Sequence, residues 1–299
     1  MGAESLRASH RRGSNGLKRV GFITYRDLPA LTPDDRLAFA PLGELGIEAV
    51  PVVWDQSDVD WNRFDAVVLR SCWDYHYRPE TFTKWLDDLE RSGVRIWNPS
   101  SVIRWNMDKR YLGDLRQAGA IIPRTVFVGA GANLLDTLEK NDLEQAVIKP
   151  TISATARRTW QTSIHTARAD QPKLDEILSE SGAVVQEFVE EVVVRGEWSL
   201  IFFGGYSHAV LKRPAEGDFR VQREFGGSSE RMTPPDQIIR QAEEILRAVD
   251  GGIIYARVDG VESEGRFVLL ELELFEPELF LRVDACAPLR FAQSIASVV

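Results

Sequence analysis

Cysteine is nearly absent: Cys72 and Cys286 are the only two in 299 residues. Two cysteines cannot form a disulfide framework or a cysteine-based zinc site, and they suit a reducing cytoplasm. Histidine is also scarce. His10, His76, His165 and His208 are scattered, with no two at metal-ligand spacing. No apolar run approaches the ~18 residues of a membrane-spanning helix, and Val20–Thr24 is too short for the core of a signal peptide. Positive charge is in deficit: 36 Lys and Arg face 45 Asp and Glu, a net charge of −9. That balance argues against a nucleic-acid partner, yet it permits a phosphate-bearing substrate if the cations cluster. Neither nucleic acid nor membrane is expected as a partner, and a homo-oligomer stays open.

What is present is ordinary for a globular chain: 44% hydrophobic and 27% charged residues. At ~150 residues per domain, the length suggests about two domains. Residues 1–17 are polar and basic without apolar periodicity, and an unstructured tail is expected there. From Val20 to about Asn98, strand and helix patterns alternate. Val20–Thr24, Ala49–Val53, Ala66–Leu69 and Val94–Trp97 read as strands. Thr32-Pro33-Asp34-Asp35 opens one helix and Pro79 another. This alternation predicts a small, mostly parallel α/β sheet. A third helix is predicted over 107–118, followed by a compact α+β unit ending near Val189. The remainder reads as antiparallel hairpins, Ser199–Leu211 and Ile253–Leu274, with a helix between them.

Several clusters carry chemistry. Glu271 and Glu273 share one face of an otherwise apolar strand, and Asp259 lies in its hairpin partner. Carboxylates that close repel unless a cation lies between them, and oxygen-only ligands imply Mg²⁺ or Mn²⁺. A solvated outer strand face would give the same alternation. Lys149 ends an apolar strand before a small-residue loop, Thr151 to Thr159, containing Ser153 and paired arginines. Such a loop can receive phosphate and act as a lid, or it can simply be exposed. Gln186-Glu187-Phe188-Val189 runs from a strand into a hinge whose backbone can meet a base edge. Lys212-Arg213 and the run from Phe219 to Gly227, with Arg220, concentrate basic residues. Lys109 lies at a predicted helix start, where the macrodipole prefers an anion. Arg70 and Asp74 follow a strand at the carboxyl edge of the sheet, where α/β sites gather. Arg257 either orients a carboxylate or neutralises the acids beside it. Cys72 reads as a buried thiol, and Trp54, Trp73, Trp85 and Trp105 as packing.

In this order, these pieces resemble the ATP-grasp superfamily, in the branch of glutathione synthetase and the ribosomal-protein glutamate ligases. The resemblance covers roughly Leu17 to the C-terminus. It implies an ATP-grasp fold preceded by a Rossmann-like α/β domain, with boundaries at 18–105, 106–189 and 190–299. It also implies that Lys109 and Lys149 neutralise ATP phosphates beside Ser153, and that Gln186, Glu187, Phe188 and Val189 receive adenine. Glu190 or Glu197 would meet the ribose. Asp259, Glu271 and Glu273 would form the metal triad, and Lys212 and Arg220 the catalytic cations. Gln222 and Glu273 each stand where the family pattern carries Asn. Arg70-Ser71-Cys72-Trp73-Asp74-Tyr75, Asn98-Pro99, Trp105-Asn106, Gly217–Arg220 and Glu276–Phe280 add a narrower likeness to the cyclo-ligases that close O-ureido-serine into cycloserine.

The implied activity is a cytoplasmic, ADP-forming ligase that uses ATP and Mg²⁺ or Mn²⁺ to phosphorylate a carboxylate or ureido group, which then joins an amine-type nucleophile. Arg70, Asp74, Arg257 and Glu276 are expected to form a zwitterion cradle for a small amino-acid-like substrate. A small-molecule kinase using the same nucleotide site, or a non-catalytic ATP-binding module, are the alternatives.

Overall fold

The computed structural model describes residues 17–299. Apart from Leu17, the expected tail lies outside the described residues. Three sheets follow one another along the chain. The first contains β1 (Lys18–Thr24), β2 (Ile47–Val53), β3 (Ala66–Ser71) and β4 (Arg95–Trp97), in the order β2-β1-β3-β4. All three of its pairings are parallel. Central β3, Ala-Val-Val-Leu-Arg-Ser, is buried throughout, which suits a parallel strand covered on both faces. The helix Pro79–Arg91 buries Phe82, Leu86 and Leu89, one stripe at helical spacing.

The second sheet holds β5 (Thr125–Val128), β6 (Gln145–Pro150), β7 (Trp160–Ser163) and β8 (Ala183–Glu187), in the antiparallel order β5-β8-β6-β7. The third contains β9 (Glu197–Phe203), β10 (Gly205–Arg213), β11 (Ser228–Arg231), β12 (Ala256–Ser263) and β13 (Arg266–Glu273), ordered β11-β10-β9-β12-β13.

The first and third sheets share a core. Val20, Phe22 and Val68 pack in one cluster with Ile201, Val210, Tyr255 and Phe291. Phe291 belongs to the last helix, Ala287–Ala296. The second sheet has a core of its own, built from Leu134, Leu138, Ile148, Leu174 and Val185.

Side chains stitch the free edge of β13 to the segment between the first two sheets. Asn106 donates to Leu272 O at 2.8 Å and accepts from Leu274 N at 2.8 Å. Tyr111 Oη accepts from Leu272 N at 2.9 Å, and Leu269 N donates to Ile121 O at 2.8 Å. Asn98 bridges Ile254 N and the carbonyl of Tyr255. These contacts satisfy an edge that would otherwise be open. They also fix the side on which Glu271 and Glu273 project.

The helix predicted over 107–118 is corrected. One helix spans Ser100–Asn106 and another Tyr111–Gln117, with a turn between them. Tertiary bonds override the helical pattern there, because Lys109 N donates to Thr151 O at 2.8 Å. Lys109 therefore precedes a helix rather than opening one, and its charge is met by Glu271 at 2.8 Å.

Candidate active site

A cavity of about 380 Å³ lies between the second and third sheets. Its floor is the third sheet: Glu197 of β9, Lys212 of β10, Arg257 and Asp259 of β12, and Glu271 and Glu273 of β13. The cross-strand register sets Asp259 opposite Glu271 and Arg257 opposite Glu273. Lys149 and the Ser153–Ala156 loop form the roof. At one end, Val147, Phe188, Val189, Val192, Val221 and Leu270 make an apolar slot. At the other end stand Trp73, Glu276, Glu278 and Phe280.

The charges are tightly partnered. Lys109 Nζ donates to Ser153 O at 2.9 Å and lies 2.8 Å from Glu271 Oε1. Burial alone would favour its neutral form, but Glu271, Glu276 and Glu273 together outweigh burial and raise its pKa. Lys149 is different: burial dominates, and neighbouring Lys109 adds to it, so its pKa falls. Lys212 Nζ sits 2.6 Å from Glu197 Oε1 and 3.6 Å from Asp259 Oδ2. Arg257 donates from Nε to both Asp259 oxygens at 3.0 Å, from Nη2 to Glu273, and from Nη1 to Glu278 O at 3.2 Å. Ser199 Oγ also donates to Asp259.

The acids differ in consequence. Asp259 is held below its ordinary value, since Arg257 and Lys212 together overcome burial. Glu271 is likewise lowered, against burial, by Lys109 and Lys149. Glu273 is pushed well above the carboxylate range by burial, with Glu276, Asp259 and Glu271 adding to it. Glu276 rises to about 7, chiefly through burial.

Among the described residues, no three His, Cys, Asp or Glu side chains already converge as a ready metal cage. The donor chemistry nonetheless fits a hard cation. Three carboxylates stand on adjacent strands and line one cavity, an all-oxygen donor set that suits such an ion.

Of the other expected residues, Arg220 lines the cavity from the loop after β10. Its guanidinium pairs with Asp218 at 2.8 Å and stacks 3.6 Å from the Phe225 ring centroid. Gln186 is buried and donates to Thr125 Oγ1 at 3.0 Å. Glu187 accepts from Arg124 at 2.6 Å. Glu197 lines the cavity, whereas Glu190 is exposed outside it.

The expected cradle is corrected on two members. Arg70 is 1% exposed and does not reach the cavity. Its Nε donates to Asp35 Oδ1 at 3.0 Å and its Nη2 to Pro277 O at 2.7 Å. Asp74 is also outside, accepting from Trp54 Nε1 at 2.7 Å and Arg78 Nη2 at 2.8 Å. Neither pairs with the other. Arg257 and Glu276 do line the cavity.

Three further residues belong to the site. Trp73, expected as packing, lines the cavity and donates from Nε1 to Glu276 O at 2.9 Å. Its place just past β3, at the carboxyl edge of a parallel sheet, is the signal that could have found it. Ser199 lies directly across from Asp259 in the register of β9 and β12, and Glu278 is two residues beyond Glu276.

Residues 20–98 match the family described as the N-terminal domain of D-cycloserine synthetase DcsG. Over 270 residues, the chain is 30% identical to the cycloserine biosynthesis protein DcsG of Streptomyces lavendulae, spanning 84% of this chain and 89% of that one. The chain belongs to the DcsG family. The crystal structure of D-cycloserine synthetase DcsG superposes with a TM-score of 0.84 at 29% identity, covering 93% of this chain and 99% of that one. The D-alanine–D-alanine ligase of Bacillus anthracis is more distant, with a TM-score of 0.69, 16% identity, and coverage of 94% and 96%. A RimK-domain ATP-grasp protein from Sphaerobacter thermophilus gives a TM-score of 0.68 at 16% identity, covering 94% and 99%. Membership settles the class: an ATP-dependent, C–N-bond-forming, ADP-releasing ligase with the ATP-grasp fold. Among the described residues, no helix is long and apolar enough to cross a membrane.

Proposed function

We propose that this family member activates the single carboxylate of a small amino-acid-like substrate and closes it on a nitrogen nucleophile in the same molecule. The observation that carries this reading is the composition of the cavity's Trp73 end. Arg70, which also acts on Glu276, is held behind the cavity wall by Asp35 and Pro277 O, and Arg257, which lines the cavity, is already engaged by Asp259 and Glu273. An acidic end without a free cation suits an ammonium group. Glu276 holds it, and Trp73 offers its ring face. The substrate carboxylate then points toward the lysines.

In this reading, adenine occupies the slot lined by Phe188 and Val189, with Gln186 and Glu187 shaping the hinge behind it. Glu197 faces the ribose. Lys109, Lys149 and the Ser153 loop meet the phosphates. Asp259, Glu271 and Glu273 would hold Mg²⁺, which would supply neutralisation of polyphosphate charge. The carboxylate oxygen attacks the γ-phosphorus and ADP leaves, giving an acyl phosphate. The nitrogen then attacks the carbonyl carbon, the C–O bond to phosphate breaks, and the proton lost from the nitrogen leaves with the phosphate. Arg220 and Lys212 neutralise charge on the phosphoryl group and the tetrahedral intermediate. Residues 18–105 present the substrate, 106–189 cover the nucleotide, and 190–299 carry the metal. The chain works in the cytoplasm, where ATP is supplied and Cys72 and Cys286 stay reduced.

The test is ADP release with ATP, Mg²⁺ and a panel of amino acids and their O-ureido derivatives, with products resolved by mass spectrometry. A cyclised product from one small substrate is expected. Turnover only with peptide acceptors, or accumulation of a phosphorylated substrate without condensation, overturns the reading.

A further inference from the structure

The cavity wall from Glu276 to Phe280 contains neither helix nor strand. Four consecutive carbonyls in it are each held by a side chain from elsewhere in the chain. Trp73 Nε1 donates to Glu276 O at 2.9 Å, Arg70 Nη2 to Pro277 O at 2.7 Å and Arg257 Nη1 to Glu278 O at 3.2 Å. The fourth, Leu279 O, lies 3.0 Å from Nε2 of His208 in β10. The side chains of Glu276, Glu278 and Phe280 line the cavity, while that of Leu279 is buried in the core. Phe280 closes the row in the left-handed region, at φ 49° and ψ 39°. A bulky residue keeps that conformation only where its surroundings enforce it.

His208 reaches the wall through an irregularity in its strand. The pairing of β10 with β9 shifts between Tyr206, opposite Phe202, and His208, opposite Ile201, so Ser207 is the extra residue of a β-bulge. Adjacent strand residues ordinarily point to opposite faces. At the bulge, Ser207 Oγ instead lies 3.0 Å from Nδ1 of its neighbour His208. Ser207 Oγ also accepts from Arg290 Nε at 2.8 Å. Arg290 belongs to the last helix, and Asp284 pairs with its guanidinium at 3.1 Å.

This series of bonds has one direction. A guanidinium can only donate, and a carbonyl can only accept. His208 is 3% exposed, and burial favours its neutral ring. The single ring proton therefore sits on Nε2, facing Leu279 O, and Nδ1 accepts from Ser207. The donors point in series from Arg290 through Ser207 and His208 to the wall.

We propose that His208, fixed as its Nε2–H tautomer by Ser207 and Leu279 O, is a positioning residue for the amino-acid-like substrate. It lies outside the cavity and holds the main chain on which Glu276 and Phe280 stand. The inference rests on the reading that this wall faces the substrate. Loss of the bond falls on substrate binding and spares the nucleotide, whose hinge and phosphate loop belong to the second sheet.

The experiment has three measurements. In the ligand-free full-length chain carrying ¹⁵N-histidine, the signal lost in His208→Gln is expected to show a protonated Nε2 and a bare Nδ1 at neutral pH. A proton on Nδ1, or a mixture of tautomers, overturns the proposal. Hydrogen exchange of peptides spanning 275–283 is expected to quicken by roughly tenfold or more in His208→Leu. It should stay near wild type in His208→Gln, whose amide N–H can still reach Leu279 O, and peptides from β6 and β8 should not change. Unaltered exchange in the leucine variant overturns the proposal. With the amino acid or O-ureido derivative that gives the fastest ADP release, the leucine variant is expected to raise the substrate KM by roughly tenfold at constant KM for ATP, and the glutamine variant to restore most of it. An unchanged substrate KM, or an equal rise in both constants, overturns the positioning role. If no small substrate turns over, the substrate reading itself falls, and tautomer and exchange alone decide whether His208 holds the wall. If His208→Leu does not fold, Ser207→Ala decides, with exchange over 275–283 expected to rise by about threefold and an unchanged rate overturning the proposal.

Discussion

Arg70 and Asp35 form an ion pair closed off from solvent, with Arg70 Nη2 2.9 Å from Asp35 Oδ1 and side-chain exposures of 1% and 5%. Ser71 Oγ and Thr32 Oγ both donate to the second oxygen of Asp35 at 2.8 Å. The pair therefore locks the end of β3 to the turn after β1. Asp35→Ala leaves a buried guanidinium without its counter-charge, and a loss of about 3–5 kcal/mol is expected. Urea unfolding measures it. A loss under about 1 kcal/mol would show that Arg70 finds another partner or reaches solvent.

Glu271 is the acid on which Lys109 and Lys149 both act. Glu271→Gln keeps shape and removes charge. Turnover is expected to fall by more than about 100-fold, the upper range seen when even the supporting groups of a metal ligand are altered. Far-UV circular dichroism should not change. Activity restored fully by raising Mg²⁺ would confirm a ligand role, and wild-type activity at low Mg²⁺ would remove Glu271 from the metal's surroundings.

Lys149 carries a charge that its own environment disfavours. A polyphosphate would reverse that. Lys149→Ala is expected to weaken ATP binding by roughly 1.5–3 kcal/mol while leaving the unliganded melting temperature nearly unchanged. Calorimetry with a non-hydrolysable nucleotide tests both halves, and equal affinity in the two proteins would place the lysine outside the phosphate path.

Glu276 gives a pH dependence of defined sign. Its folded pKa, about 7, lies above the ordinary carboxyl value. Below the ordinary value the group is protonated in both states, and its contribution is fully present. As pH rises toward and through 7, ionisation favours the unfolded chain, so stability is lost. The ligand-free protein is expected to lose on the order of 2 kcal/mol from this group between about pH 5 and pH 8. Glu276→Gln should flatten that slope in unfolding curves. An unaltered slope would mean that Glu276 is solvated.

Much of this was legible in the sequence where local pattern and tertiary role agree. β3 is an apolar run because both its faces are covered, and Glu271 and Glu273 are spaced by two because they project from one face. β7 and β11 escaped notice because they are polar edge strands without alternation. The helix over 107–118 was overextended because Asn106 and Lys109 serve distant partners, Leu272 and Thr151, that no local window contains. Arg70 misled for the same reason. A strand-end arginine looks alike whether it faces a ligand or a carboxylate 35 residues earlier. Trp73 and Trp54 have the same composition signal, but only the structure separates the first, at the cavity, from the second, in the core.

The second sheet begins and finishes at one point: Glu187 N donates to Arg124 O at 2.8 Å. Most of what lies between those residues packs on its own core, with Ile152 and Ala154 reaching the core of the first sheet and Phe127 that of the third, while the sheets on either side share a core. The middle of the chain is thus threaded like a jaw on a two-stranded stalk, set into a host that closes around it. A swing about that stalk would have to free Phe127, Ile152, Ala154 and the Lys109 bonds to Thr151 and Ser153, so the contacts that set the nucleotide cavity's opening gather at the loop after β6 and the turn before Tyr111.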